Sequence, residues 1–169
     1  DEDLFIEYFN QHPEVKLVIA PHVIDENHLV EIIRKLKRPY VRYTRADEKN
    51  VRKADCLIID CFGLLSSIYR YGEIAYIGGG FGVGIHNTLE AAVYGIPVIF
   101  GPKYQKFQEA IQLLEAKGAF SVKDYEELKT LIDRMLTDEV FLRESGMNAS
   151  NYVTGNAGAT DKIMSMINF

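Results

Sequence analysis

Between residues 77 and 92 the chain reads Ile-Gly-Gly-Gly-Phe-Gly-Val-Gly-Ile-His-Asn-Thr-Leu-Glu-Ala-Ala, the stretch whose residue types are best suited to holding a ligand. Five glycines in seven residues, 78–84, let the backbone take positive φ and approach a bound group closely. A helix is expected over 88–94, and its first turn presents free N–H groups and the positive end of a dipole. Glycine turn and helix start together suit an anion, most simply a phosphate. The pattern lacks the Gly-Lys-Ser/Thr of a P-loop and is not the G-x-G-x-x-G dinucleotide fingerprint. That fingerprint follows a first strand, whereas these glycines follow about the fourth, which argues against a redox Rossmann domain. A ligand-free surface turn is the plain alternative, but glycine this dense needs a backbone reason.

Asn87 and Glu90 stand three apart at the helix start, and two readings are open. They form a capping box, Asn87 as N-cap and Glu90 reaching back from N3. Alternatively Glu90 faces a ligand and accepts hydrogen bonds from a ribose diol. Lys103 and Lys106 follow Gly101-Pro102 and supply positive charge, either to a ligand or to solvent. Cys56 and Cys61, the only cysteines, lack the His partners of a metal site and read as reduced thiols of a cytosolic protein.

The elements that must position these residues alternate along the chain. Strands are expected over 16–20, 39–43, 57–60, 74–77 and 97–100, with an edge strand over 119–122. Helices are expected from Asp25 as N-cap, over 64–71, over 107–117 with Gly118 as C-cap, and over 124–135, 139–145 and 157–167. This alternation implies βαβ units: an α/β fold, Rossmann-like and doubly wound, with a mostly parallel sheet. Such sheets bind ligands beyond the carboxyl ends of their strands, so loops 21–22, 60–63, 78–87 and 101–106 should converge on one rim.

At 169 residues the chain fits a single domain. Its net charge of −5 argues against nucleic acid as a partner. The longest apolar run, 91–100, is broken by Gly95 and Pro97 and is too short to span a bilayer. The opening Asp1-Glu2-Asp3 has the wrong charge for a signal peptide.

The run H-N-x-L-E-A-A from His86 to Ala92, with Gly95-Ile-Pro-Val-Ile-Phe-Gly-Pro102, resembles the donor domain of GT-B glycosyltransferases. More closely, G-G-G-F…G-x-H-N-T-L-E-A-A-x-x-G-I-P-V-I-F-G-P-x-x-x-x-F resembles the 3-deoxy-D-manno-octulosonic acid (Kdo) transferases of lipid A biosynthesis. The likeness runs from about Lys16 onward and is strongest over 60–107. It implies the C-terminal half of a GT-B fold, a CMP-Kdo donor, metal-independent inverting transfer without a cofactor, and a lipid A precursor as acceptor. It also implies a full-length protein peripheral to the cytoplasmic face of the bacterial inner membrane.

By the same resemblance Gly79, Gly80, Phe81, His86, Asn87 and Thr88 lie by the donor phosphate and Glu90 holds the ribose. Phe62, Gly63 and Leu64 fall on the loop beside the cytosine, where Leu64 replaces the family's acid and leaves the backbone to make any base contact. After the first strand the family reads P-R-H and this chain Pro21-His22-Val23. The missing Arg leaves His22 or Lys103 to meet negative charge, neither of them bidentate.

Transfer from an activated sugar needs stabilisation of the leaving phosphate and a general base for the acceptor hydroxyl. Residues 1–169 read as one donor domain offering the first and no catalytic residue. The resemblance assigns the base to an N-terminal acceptor domain absent from this sequence, so the chain reads as a fragment that binds nucleotide without turnover. Two other readings stay open: the nucleotide half of a UDP-sugar epimerase or another GT-B transferase, and a non-catalytic nucleotide-binding module.

Overall fold

The structure, a computed structural model, describes residues 1–157. Its elements in chain order are α1 (Glu2–Gln11), β1 (Leu17–Ile19), α2 (Glu26–Lys35), β2 (Tyr40–Arg42), α3 (Glu48–Val51), β3 (Cys56–Ile58), α4 (Leu65–Ile68), β4 (Ala75–Ile77), α5 (Leu89–Ala92), β5 (Val98–Phe100), α6 (Gln108–Glu115), β6 (Ala119–Ser121), α7 (Tyr125–Thr137) and α8 (Glu139–Asn156). The expected α/β alternation is present, and every strand pairing is parallel. The strands are hydrogen-bonded as two triplets, β1-β3-β2 and β4-β5-β6, with β6 at an edge as expected.

The middle strand of each triplet explains the apolar runs in the sequence. Val98, Ile99 and Phe100 of β5 and Ile58 of β3 are wholly inaccessible, as strands covered on both faces must be. Helix starts follow from side-chain chemistry. Asp25 accepts from the amides of Asn27 and His28, Asp124 from Glu127 and Asp138 from Phe141. Each such cap contributes about 1 kcal/mol.

Helix α1 has no counterpart among the expected elements, yet it sits where the two triplets meet. Its Ile6 and Phe9 enter the core under β1, β3 and α2. Leu4 packs instead with the cluster of Tyr76 of β4, Ile99 of β5 and residues of α7, and Phe5 packs against both clusters. Tyr8 donates to Asp133 Oδ1 of α7 at 2.8 Å, and its ring stacks on His12 with centroids 3.8 Å apart.

Two expectations about helix ends are corrected. Helix α6 does not end on a left-handed Gly118; Lys117 takes the positive φ of 58°. Gly118 is needed for packing, since a Cβ there would stand 2.6 Å from the backbone of Ala149 in α8. The helix expected over 139–145 continues to Asn156. The further helix expected over 157–167 lies outside the described residues apart from Ala157, which is extended.

Candidate functional site

Parallel pairing puts the carboxyl ends of each triplet on one side, and specific contacts join the loops there. His22, after β1, stacks on His86, after the glycine turn, with ring centroids 4.5 Å apart and planes 18° apart. The turn itself folds onto the loop after β5. Lys103 N–H donates to Gly80 O at 2.9 Å, and Lys103 Nζ to Gly82 O at 2.8 Å. The structure thus brings together Pro21, His22, Gly79, Gly80, Phe81, His86, Asn87, Glu90 and Lys103. Phe62, Gly63 and Leu64 stand further out: Phe62 is 83% exposed and nothing lies within 4 Å of a Cβ built on Gly63. Leu64 precedes α4 without a side-chain cap.

The glycines have backbone reasons, though not mainly the expected one. Gly79 has φ of +92°, and a Cβ on it would meet Gly84 O at 2.2 Å. A Cβ on Gly80 would stand 2.5 Å from Gly101 N, so two backbones touch. Much of the turn's hydrogen bonding is internal. Gly82 N–H and Gly84 N–H donate to Gly79 O, and His86 N–H donates to Gly78 O. Phe81 N–H donates to Asp1 Oδ1 at 3.1 Å. Close packing and self-bonding therefore account for the glycine density, and these amides are not open to an anion.

Asn87 and Glu90 form a different arrangement from the expected capping box. Asn87 Oδ1 accepts from Leu89 N–H at 3.0 Å, while its Nδ2 donates to Glu90 Oε1 at 3.0 Å. Glu90 therefore touches a side chain, not the N-cap backbone, and its second oxygen has no hydrogen bond among the described residues. Helix α5 is also shorter than expected, a single turn with Thr88 at its N-cap. Tyr69, just after α4, was not singled out in the sequence. Burial, and then the charge of Glu90, push its phenol up to about 12, which places the neutral hydroxyl in the field of that carboxylate.

Thr88, expected beside the donor phosphate, is fully buried, and its hydroxyl has no partner among the described residues. An unpaired buried hydroxyl costs about 1–3 kcal/mol, and replacing it with a methyl group of similar shape removes that cost. Thr88→Val is accordingly expected to raise the melting temperature and leave ligand binding unchanged. A lower Tm or a weakened ligand would show that the hydroxyl has a partner.

A second polar group at the rim carries no sequence motif. Asp60, two residues beyond β3, has a side chain only 1% exposed. It accepts from Arg42 Nε at 2.8 Å, Thr44 Oγ1 at 2.6 Å and Thr44 N–H at 2.9 Å. Arg42 also holds both oxygens of Glu26, at 2.8 and 3.0 Å, so the rim ends of β2, β3 and α2 are tied together. Burial alone would raise the Asp60 pKa, but the bonds from Thr44 and Arg42 outweigh it and hold the carboxyl at about 2.

A depressed folded-state pKa stabilises above the unfolded value and is lost as pH falls through the folded one. Set against the ordinary 3.8, the stabilisation is about 2 kcal/mol, disappearing from about pH 4 down to about pH 2. The stability of the wild type, followed by thermal melts, should fall in that window, and that of Asp60→Asn should start lower and fall less steeply, because Asp3, Asp55 and Asp133 are also held below the ordinary carboxylate range. Parallel curves for the two proteins would contradict this.

Ligand charge at the rim is asymmetric. Lys103 is exposed, but its ammonium is directed at Gly82 O; Lys106 is exposed on the same loop. His86 is held below its ordinary pKa by burial and by the charge of His22. Two cations at the stacking distance would repel by about 1 kcal/mol in water-like surroundings. No described helix is long and apolar enough to cross a membrane.

No family model matches the chain. It is 35% identical over 135 residues to a 3-deoxy-D-manno-octulosonic acid transferase of Aquifex aeolicus, an alignment covering 79% of this chain and 37% of that protein. It is 27% identical over 164 residues to a bifunctional glycosyltransferase/methyltransferase of Fusobacterium nucleatum, covering 90% of this chain and 26% of that protein. The chain thus spans roughly a third of the length of these relatives or less. Among solved structures, the C-terminal CMP-Kdo binding domain of WaaA from Acinetobacter baumannii superimposes with a TM-score of 0.75 at 18% identity. The match covers 90% of this chain and 82% of that one. The fold is that of the C-terminal half of a GT-B glycosyltransferase, and the sequence resemblance to Kdo transferases is borne out.

Proposed function

We propose, from this kinship with the Kdo transferases, that the chain is the donor-binding domain of a glycosyltransferase that moves Kdo from CMP-Kdo to a lipid A precursor. The observation that carries the proposal is Glu90: a carboxylate at the first turn of α5, held at one oxygen by Asn87 and otherwise free at the rim. A carboxylate so placed suits the vicinal hydroxyls of a ribose. Loop 62–64 is the proposed neighbour of the cytosine, and Pro21, His22, His86, Asn87 and Lys103 surround the phosphate. The general base and the acceptor belong to an N-terminal domain outside this sequence, and the full-length protein works at the inner membrane's cytoplasmic face.

Titration calorimetry tests the reading. CMP should bind and UDP should bind more weakly, because the rim offers few cations for a second phosphate. Tighter binding of UDP would favour the epimerase alternative, and transfer catalysed by this polypeptide alone would overturn the assignment of the base to another domain.

A further inference from the structure

Positive charge is unevenly placed along the chain. Residues 34–53 hold nine of the 19 Lys and Arg and only two of the 24 Asp and Glu, a strongly basic stretch in a protein of net charge −5. Three of the nine are engaged: Lys35 with Asp3, Arg38 with Asp55 and the carbonyls of Phe9 and Val15, and Arg42 with Glu26 and Asp60. Arg34, Lys37, Arg45, Lys49, Arg52 and Lys53 are exposed, and among the described residues their side chains have no hydrogen bond or ion pair.

The fold gathers these six at one border. β2 pairs with β3 alone, so it closes its triplet on that side. The connection over 43–55 starts at the rim, where Asp60 holds Thr44 N–H. It returns to the opposite end of β2, where the amides of Asp55 and Cys56 donate to Pro39 O at 2.8 and 3.0 Å. The connection therefore runs back beside β2. Asn50 fixes its shape, donating to Arg45 O at 2.9 Å and accepting from Asp47 N–H at 2.8 Å. Helical backbone continues through Arg52, which puts Lys49, Arg52 and Lys53 on one side at i, i+3 and i+4. Lys37 stands two residues before Pro39, and Arg34 lies in the last turn of α2. Tyr40, Tyr43 and Val51 are exposed among these cations.

We propose that this border is the surface by which the domain rests on an anionic lipid bilayer. The choice of a bilayer rests on the lipid acceptor in the function proposed above. The exposed tyrosines and Val51 favour it, since amphipathic rings sit at headgroup level and an aliphatic side chain gains by leaving water there. Lys and Arg are attracted to an anionic surface within about 10 Å, and charges farther off are screened. The overall charge of −5 therefore does not forbid docking by this border. Docked so, β2 lies along the bilayer and the rim opens sideways over its surface.

Sedimentation with vesicles of phosphatidylglycerol and phosphatidylethanolamine tests this. The wild type should bind them at about 0.05 M salt, release them at about 0.5 M and ignore vesicles of phosphatidylcholine. Arg52→Ala combined with Lys53→Ala should weaken binding about tenfold or more. Arg70→Ala combined with Arg143→Ala removes equal charge from exposed positions elsewhere and should change it by about twofold at most. Thermal melts and CMP calorimetry of both variants should match the wild type, because neither pair touches the donor site. Equal losses in the two variants, or no binding to the anionic vesicles, overturn the proposal. Tighter binding of single-stranded poly-uridine RNA than of vesicles also overturns it, by making the border a nucleic-acid surface. A wild type that binds the vesicles but not CMP supports the border and overturns the nucleotide reading instead.

Discussion

Gly80→Ala is expected to unfold the glycine turn or leave the protein insoluble, even though it adds one methyl group to a loop. The new Cβ would stand 2.5, 2.6 and 2.9 Å from the N, Cα and C atoms of Gly101. Overpacking among side chains costs about 1–3 kcal/mol because rotamers and backbone shift to relieve it. Here the obstacle is backbone at the end of β5, whose Val98, Ile99 and Phe100 are fully buried and cannot retreat. The cost should exceed about 3 kcal/mol, a fall in Tm of roughly 6–12 °C for a domain of this size. Val83→Ala, at a fully exposed position in the same turn, should stay within about 0.5 kcal/mol of wild type. Equal melting temperatures for the two variants would show that the turn does not rest on Gly101.

Glu90→Ala should do the opposite, sparing the fold and removing the ligand. In the described structure Glu90 accepts one hydrogen bond, from the exposed Asn87 side chain, and the helix start is held separately by Asn87 Oδ1 on Leu89 N–H. Stability should therefore fall by less than the roughly 1 kcal/mol that loss of a true cap costs. CMP affinity should drop more than tenfold, equivalent to about 1.4 kcal/mol. Glu90→Gln keeps an acceptor for Asn87 but lacks the charge, so its affinity should fall between those of wild type and Ala. Calorimetry paired with thermal melts separates the two effects. Unchanged CMP affinity with a lower Tm would make Glu90 a structural residue only.

The parts of the fold that announce themselves in sequence are those governed by neighbours along the chain. Apolar runs mark β3, β4 and β5 because those strands are covered on both faces. Asp25 and Asp124 mark helix starts because a cap bonds amides two or three residues on. Helix α1 carries such signals too, acidic residues in its first turn and Ile6 and Phe9 at helical spacing, but its purpose is set by contacts with β4 and α7. Tyr8 and Asp133 are 125 residues apart, and no local pattern links them. The site divides the same way. The glycines, Asn87 and Glu90 are legible as a cluster, whereas the His22–His86 stack and the Arg42–Asp60–Thr44 knot exist only once the loops are brought together. Gly118 is the instructive intermediate: a glycine visible at a helix end, required for the close approach of Ala149 rather than for its own φ.

A loop built of glycine is usually the most disordered part of an unliganded protein, and ordering it on ligand capture costs conformational entropy. The 78–86 loop has already lost that freedom on folding, since its amides are tied to Gly78 O, Gly79 O and Asp1 and its outer edge is stapled by Lys103. Its amide hydrogens should exchange with solvent at rates typical of a strand, and nucleotide should enter a cradle whose shape barely changes on binding.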